Sequence, residues 1–219
     1  AKAVELIGGI ADPRTREQLL VGTGSRLMSE GPDAYEALVA ACGADSERNA
    51  LVVFGASWMI RNGRAKTAFD WFVDHEVPRK ELRVRDAFRM SCVPTPDLAL
   101  KQLDQLPETK LKDEAVAGVC LGSVQQVPTG KLFELLEQYP GAKTDAVVGG
   151  IVDELPYREQ LAELWRVENP DYREELQEAA LISWATGNPD GVNKWMEEHP
   201  VSDAVRTKVL KAIEHKQEP

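Results

Sequence analysis

Residues 188–200 read Asn-Pro-Asp-Gly-Val-Asn-Lys-Trp-Met-Glu-Glu-His-Pro, and this stretch contains the pattern that decides the fold. Asn188 can accept a hydrogen bond from the first amides of a helix, proline is tolerated at the first helical position, and an early Asp complements the helix dipole. Val192, Trp195 and Met196 then recur at i, i+3 and i+4, which is the spacing of one apolar helix face. The final proline ends the helix. The stretch therefore predicts one complete amphipathic helix.

Prolines recur at similar positions along the whole chain in two interleaved series. One series predicts the starts of a first set of helices, called A, and comprises Pro32, Pro96, Pro128, Pro156 and Pro189. The other predicts the turn from an A helix into a second set, called B, and comprises Pro13, Pro78, Pro107, Pro140, Pro170 and Pro200. Neighbouring members of a series are about 31 residues apart, or two such steps where Gly43 or Gly63 replaces a proline. A period of this length is typical of helical repeats.

These signals predict an all-α fold, a right-handed α–α superhelix (solenoid) of about seven helical hairpins, in a single domain over 1–219. A hairpin cannot bury its own apolar stripe, whereas stacked hairpins bury a continuous core. Residues 51–54 and 147–148 are β-prone, but they lie inside capped helical windows and are predicted to be buried helix. The hairpins are expected near 1–29, 32–62, 65–91, 96–126, 130–154, 157–186 and 189–216.

Residues 180–190, Ala-Leu-Ile-Ser-Trp-Ala-Thr-Gly-Asn-Pro-Asp, look like the end of a tetratricopeptide helix running into its Asn/Asp-Pro turn. The chain thereby resembles the tetratricopeptide-like α-solenoid class, although its period is near 31 rather than 34. Similar Trp-Ala…Asn-Pro…Trp repeats occur in large bacterial envelope and secreted proteins. The resemblance implies a scaffold that binds proteins or peptides, and it supplies no catalytic residues.

Composition narrows the class of partner. The net charge is −10, which disfavours non-specific nucleic-acid binding because that binding needs a basic surface. No apolar run approaches the ~20 residues of a membrane span. No signal peptide is visible, and the compartment is left open between the cytoplasm and an exported location reached after removal of a leader.

Motifs of enzymatic chemistry are missing. The sequence has no P-loop, dinucleotide-binding loop, zincin helix or nucleophile elbow. Cys42, Cys92 and Cys120 are odd in number and lack a CxxC spacing, so we expect buried free thiols. His75 and His199 each end an A helix, where a cation is favourable, and are not predicted to share a metal ion. We predict a non-enzymatic protein without a catalytic residue, a metal ligand or a cofactor.

The five tryptophans fall into two groups. Trp71, Trp165 and Trp195 each lie late in an A helix, and this equivalence predicts that they form the core of the repeats. Trp58 and Trp184 lie late in B helices, where a neighbouring layer of helices is expected to cover them. An exposed Trp58 would be a natural anchor for a partner, because tryptophan is enriched at binding hot spots.

Charge has one local anomaly. Residues 61–89 contain eight Lys and Arg against five Asp and Glu, a net +3 in a chain of net −10. Arg85 and Arg89 are four residues apart and share a helix face. The patch is predicted to recognise an acidic peptide, a carboxylate or a phosphate, or else to pair internally with acidic neighbouring helices. The candidate binding residues are Arg79, Arg83, Arg85, Arg89 and Trp58.

Three functions remain open. The first is a non-enzymatic scaffold that binds a protein or peptide in a groove lined by one helix set. The second is a structural or accessory subunit, or a fragment of a larger repeat protein of the bacterial cell envelope, whose end faces are covered by more repeats. The third is an enzyme with another helical fold, which would need a cleft of converging carboxylates.

Overall fold

The computed structural model describes residues 7, 9–30, 32–42, 44–74, 79–92 and 96–217. These residues form thirteen α-helices and one short 3-10 helix, and no strand occurs among them. The predicted all-α class is therefore confirmed. The helices are α1 (Pro13–Glu30), α2 (Pro32–Ala41), α3 (Asp45–Arg61), α4 (Ala65–Asp74), α5 (Lys80–Cys92), α6 (Pro96–Leu103), α7 (Lys110–Gly122), α8 (Thr129–Gln138), α9 (Asp145–Asp153), α10 (Tyr157–Glu163), α11 (Pro170–Ala185), α12 (Pro189–Glu198) and α13 (Asp203–Gln217).

The chain forms two compact units, 1–142 and 143–219. In the first unit α1, α3, α5 and α7 form a row in which each helix packs on the next, and α2, α4, α6 and α8 lie against this row. In the second unit α9, α11 and α13 form the same kind of row, with α10 and α12 against it. The rows correspond to the predicted B helices. The expectation of one continuous domain over 1–219 stays a prediction.

Helix starts follow the predicted capping signals. The side chain of Asn169 accepts hydrogen bonds from the amides of Asp171 and Tyr172 at 3.0 and 3.1 Å, and Asn188 accepts one from Gly191 at 2.9 Å. Each bond satisfies a first-turn amide that has no partner inside its own helix. The helices α8 and α10 begin immediately after Pro128 and Pro156.

Three helix ends differ from the prediction by four or five residues. The helix α7 ends at Gly122 rather than near residue 126, and turns occupy the next residues. The turn at Pro140 predicts a helix start near residue 141, but α9 begins at Asp145, because Thr144 caps it by accepting from the amide of Val147. The helix α10, predicted to continue to about residue 168, ends at Glu163 and tightens into a 3-10 turn.

That 3-10 turn corrects the prediction that Trp165 belongs to the core. A 3-10 helix has three residues per turn, so Leu164 and Val167 point to the same side and are buried. Trp165, between them, is 66% exposed, and its ring lies 4.4 Å from the guanidinium carbon of Arg166. Trp71, in the same group, is buried. Trp195, the third member, is partly buried and packs against the core of the second unit.

Both β-prone stretches are helical, as predicted, and all their residues except the partly exposed Phe54 are buried. Leu51, Val52 and Val53 lie in α3 and Val147 and Val148 lie in α9, and all five are buried. Burial of such side chains contributes about 1.5–3 kcal/mol each, which outweighs the small helix propensity penalty of β-branched residues. The three cysteines are free and buried, which was also predicted.

A buried glutamine holds the turn between α3 and α4. Gly63 has a left-handed backbone there, with φ of 76°, which glycine adopts without steric cost. The amide of Ala65 donates to Oε1 of Gln102 at 2.8 Å, and Nε2 of Gln102 donates to the carbonyl of Ile60 at 2.9 Å. Gln102 on α6 therefore satisfies groups at the end of one helix and the start of the next.

Two glycines let α5 and α7 approach closely. A Cβ atom at Gly118 would collide with the carbonyl oxygen of Arg85, and one at Gly122 would collide with that of Arg89. Gly118 and Gly122 are four residues apart and share one face of α7. This contact is the most extensive between any two helices of the described chain.

Several predicted features lie outside the described residues. They are most of residues 1–11, which were expected to form the first A helix; Gly31 and Thr95, which were expected to cap the helices that begin at Pro32 and Pro96; the turn residue Gly43; and His75 with nearby Pro78.

Candidate functional site

The basic segment places most of its candidate residues on α5. Its buried residues Val84, Ala87, Phe88, Ser91 and Cys92 recur at helical spacing and turn one face to the core. The arginines consequently occupy the other faces, where their environments differ.

Arg85 is engaged inside the molecule. Its Nε and Nη2 atoms lie 2.7 and 2.6 Å from Oε2 of Glu114 on α7, and both side chains are largely buried. Glu114 lies one helical turn before Gly118, so the close approach of α5 and α7 brings it to Arg85. This is the internal pairing that the sequence left open. Glu114 therefore occupies the guanidinium group to which an external anion would have to bind.

Arg83 and Arg89 are more available to an external anion than Arg85. Among the described residues, the ion-pair partner of Arg83 is Asp86, in its own helix and 3.5 Å away, and such partly exposed pairs contribute little stability. Its Nε atom is buried and has no acceptor among the described residues. Arg89 is exposed, and no described residue forms an ion pair with it.

These two arginines line a groove of about 480 Å³ over α1, α3 and α5, called the α1/α3/α5 groove. Its wall combines apolar surface with a charged rim of two arginines and one aspartate. Met90, on the rim, is 46% exposed. The lining residues are Val21, Ala50, Val53, Phe54, Arg83, Asp86, Arg89 and Met90.

The other two candidates lie elsewhere. Arg79 is exposed immediately before α5, in a left-handed backbone with φ of 54°, and does not line the groove. Trp58 is half-buried on α3, one turn after Phe54, and does not line it either. The structure thus brings two of the five candidate residues, Arg83 and Arg89, into one site.

The sequence analysis did not predict the apolar part of the groove. Residues 50–60 of α3 are apolar on several faces, more than one buried stripe requires. The additional apolar residues were interpreted only as deeply buried side chains, yet Phe54 is partly exposed in the groove. A second apolar face on one helix was the available signal for a binding surface.

The described residues show no arrangement typical of metal-dependent or acid–base catalysis. No group of three His, Cys, Asp or Glu side chains that could hold a metal ion occurs among them. No Asp or Glu whose burial is described is buried. In the part of the chain that is described, no helix has the length and apolar character needed to cross a bilayer. The prediction that the protein is not an enzyme stays a prediction.

Comparisons with models of known protein families, with curated proteins and with solved structures found no match to this chain. The likeness to the tetratricopeptide-like class therefore remains a resemblance in sequence pattern. Conclusions about function depend on the geometry and charge of the sites themselves.

Proposed function

We propose that the protein is a non-enzymatic scaffold that binds an acidic, amphipathic peptide segment of a partner protein in the α1/α3/α5 groove. The observation that carries the proposal is the exposed Arg89, which forms no ion pair with a described residue and lies beside the apolar surface of Phe54 and Met90. Arginine and aromatic side chains supply most of the energy at hot spots, and charge complementarity selects the partner.

The proposal also includes a right-handed superhelical arrangement of the helical hairpins. In each unit a helix packs on its neighbour in the chain and on the next but one, which is the contact pattern of stacked hairpins. A right-handed superhelix similar to the tetratricopeptide class would present such a row of helices as an extended binding surface. A net charge of +1 from the three charged lining residues, in a chain of −10, favours an acidic segment at this place.

Binding is tested with two fluorescently labelled amphipathic peptides of equal length. One alternates apolar residues with Asp and Glu, and in the other Asn and Gln replace the acids. We expect the acidic peptide to bind about tenfold more tightly at low salt, which corresponds to about 1.4 kcal/mol, and salt to reduce the difference. Fluorescence anisotropy measures both dissociation constants.

Arg89→Glu should weaken binding of the acidic peptide about tenfold. Lys131→Glu, a matched charge reversal at an exposed position that does not line the groove, should leave binding unchanged. Met90→Gln should weaken both peptides, because it removes apolar contact area. Equal affinity for the two peptides, or equal loss in the Arg89 and Lys131 variants, would contradict the proposal.

A further inference from the structure

A second concave site lies in the other unit, between α10, α11 and α12. It has a volume of about 370 Å³, which is within the lower part of the range of small-ligand sites. Its lining residues are Arg158, Trp184, Gly191, Lys194, Trp195 and Glu198. We call it the two-tryptophan pocket.

Trp184 holds Arg158 at this pocket. The guanidinium carbon of Arg158 lies 5.2 Å from the centre of the indole ring, and Tyr157 stacks on the same ring at 5.3 Å with an angle of 13°. The cation–π contact holds the guanidinium group of Arg158 in place. Its charge is not neutralised, because Arg158 forms no ion pair with a described residue. The buried Nε1 of Trp184 also lacks a hydrogen-bond acceptor among the described residues.

The second cation is weakly engaged. The Nζ atom of Lys194 is 3.9 Å from a carboxylate oxygen of Glu198, and both side chains are largely exposed. An exposed pair at that distance contributes little and is readily exchanged for a ligand anion. The pocket therefore offers two cations against one carboxylate.

Trp195 provides rigid apolar surface. One face of its ring stacks on His199, with centroids 4.2 Å apart and an angle of 4°, and the side chain packs against the core of the unit. Ordered aromatic side chains can bind an apolar group at small entropic cost, because they lose little freedom on binding.

We propose that the two-tryptophan pocket binds a small organic anion, a carboxylate or phosphate joined to an apolar group. The anionic group contacts Arg158 and Lys194, and the apolar group lies against the partly exposed indole ring of Trp195, while Trp184, which is only 4% exposed, holds Arg158 in place. This pocket is a different site from the α1/α3/α5 groove. The proposed ligand of the pocket does not depend on the function proposed for the groove.

The test uses the full chain labelled with ¹⁵N, whose five tryptophans supply five indole N–H groups as probes. Phenylacetate, phenyl phosphate and the neutral phenylacetamide are titrated separately. Binding should shift the signals of Trp184 and Trp195 and leave that of the exposed Trp165 in place. A stronger response to phenyl phosphate than to phenylacetate assigns phosphate as the preferred group, and the reverse assigns the carboxylate.

Two matched variants examine the charges. Lys194→Gln should raise the dissociation constant of the better anion about tenfold, whereas Lys211→Gln, at an exposed position outside the pocket, should not change it. Arg158→Gln should abolish the shifts and Arg158→Lys should retain part of them. Unchanged indole signals with both anions, shifts of equal size with phenylacetamide, or an undiminished affinity in Lys194→Gln would overturn the proposal.

Discussion

At the scale of single residues, the Cys120 thiol shows how burial changes chemistry. Cys120 has no exposed surface on α7, and burial raises the pKa of its thiol from 9.0 to about 12, with a smaller contribution from nearby Cys92. The thiolate is the reactive form of cysteine, so the folded protein should protect this residue from alkylation at neutral pH.

The raised pKa predicts a loss of stability in alkaline solution. The unfolded thiol ionises near pH 9 and the folded one near pH 12, so the unfolded state loses its proton first as the pH rises between these values. The free energy of unfolding should therefore fall by about 1.4 kcal/mol between pH 8 and pH 10 from this group. Urea denaturation at both pH values measures the change.

Cys120→Ala provides the comparison. The variant should lose less stability than the original chain between pH 8 and pH 10, while Tyr35 still contributes, because burial raises the pKa of its hydroxyl above the usual value. An identical pH dependence in the two proteins would show that Cys120 does not ionise on unfolding in this range.

At the scale of elements, the contact of α5 with α7 depends on the absence of two side chains. Glycine inside a helix costs about 0.5–1 kcal/mol relative to alanine. Gly118 and Gly122 offset this cost because the two backbones approach where Cβ atoms would collide with carbonyl oxygens. The same approach positions Glu114 for its ion pair with Arg85.

We predict that Gly118→Ala destabilises the protein by about 1–3 kcal/mol, because overpacking against the fixed backbone of α5 exceeds the gain in helix propensity. Gly22→Ala is the matched control, since a Cβ there meets no atom within 4 Å in α1. It should stabilise by about 0.5–1 kcal/mol. Urea denaturation measures both, and a stabilising Gly118→Ala would mean that the helices lie further apart.

At the scale of the whole molecule, charge governs the class of partner. The chain carries a net charge of −10, and its basic side chains in 61–89 are partly used in internal pairs such as Arg85 with Glu114. The excess of acidic side chains, 36 against 26 basic ones, therefore repels a phosphate backbone and opposes the release of counterions from it.

We therefore predict that the protein does not bind duplex DNA at physiological salt. Fluorescence anisotropy with a labelled random-sequence duplex should show no binding in the micromolar range, where non-specific binders with about six phosphate contacts do bind. Measurable affinity that falls steeply with added salt would contradict this prediction and would point to a cationic surface other than the groove.

Local signals in the sequence were sufficient to locate the helices. Capping by Asn169 and Asn188, the prolines at helix starts and the left-handed turn at Gly63 act within a few residues, so each can be recognised without knowledge of the rest of the fold. The all-α class followed from those signals together with the apolar periodicity. Errors were confined to helix ends, where competing caps such as Thr144 and a 3-10 turn decide the last residues.

The environment of each side chain was decided only by the tertiary structure. Arg85 and Arg89 look equivalent in sequence, yet Glu114, from another helix, pairs with the first and leaves the second exposed. Trp165 looked equivalent to Trp71 but points outward, because its turn is 3-10 rather than α-helical. The physical reason is range: helix formation depends on neighbours in the chain, whereas burial, pairing and grooves depend on which distant helices meet.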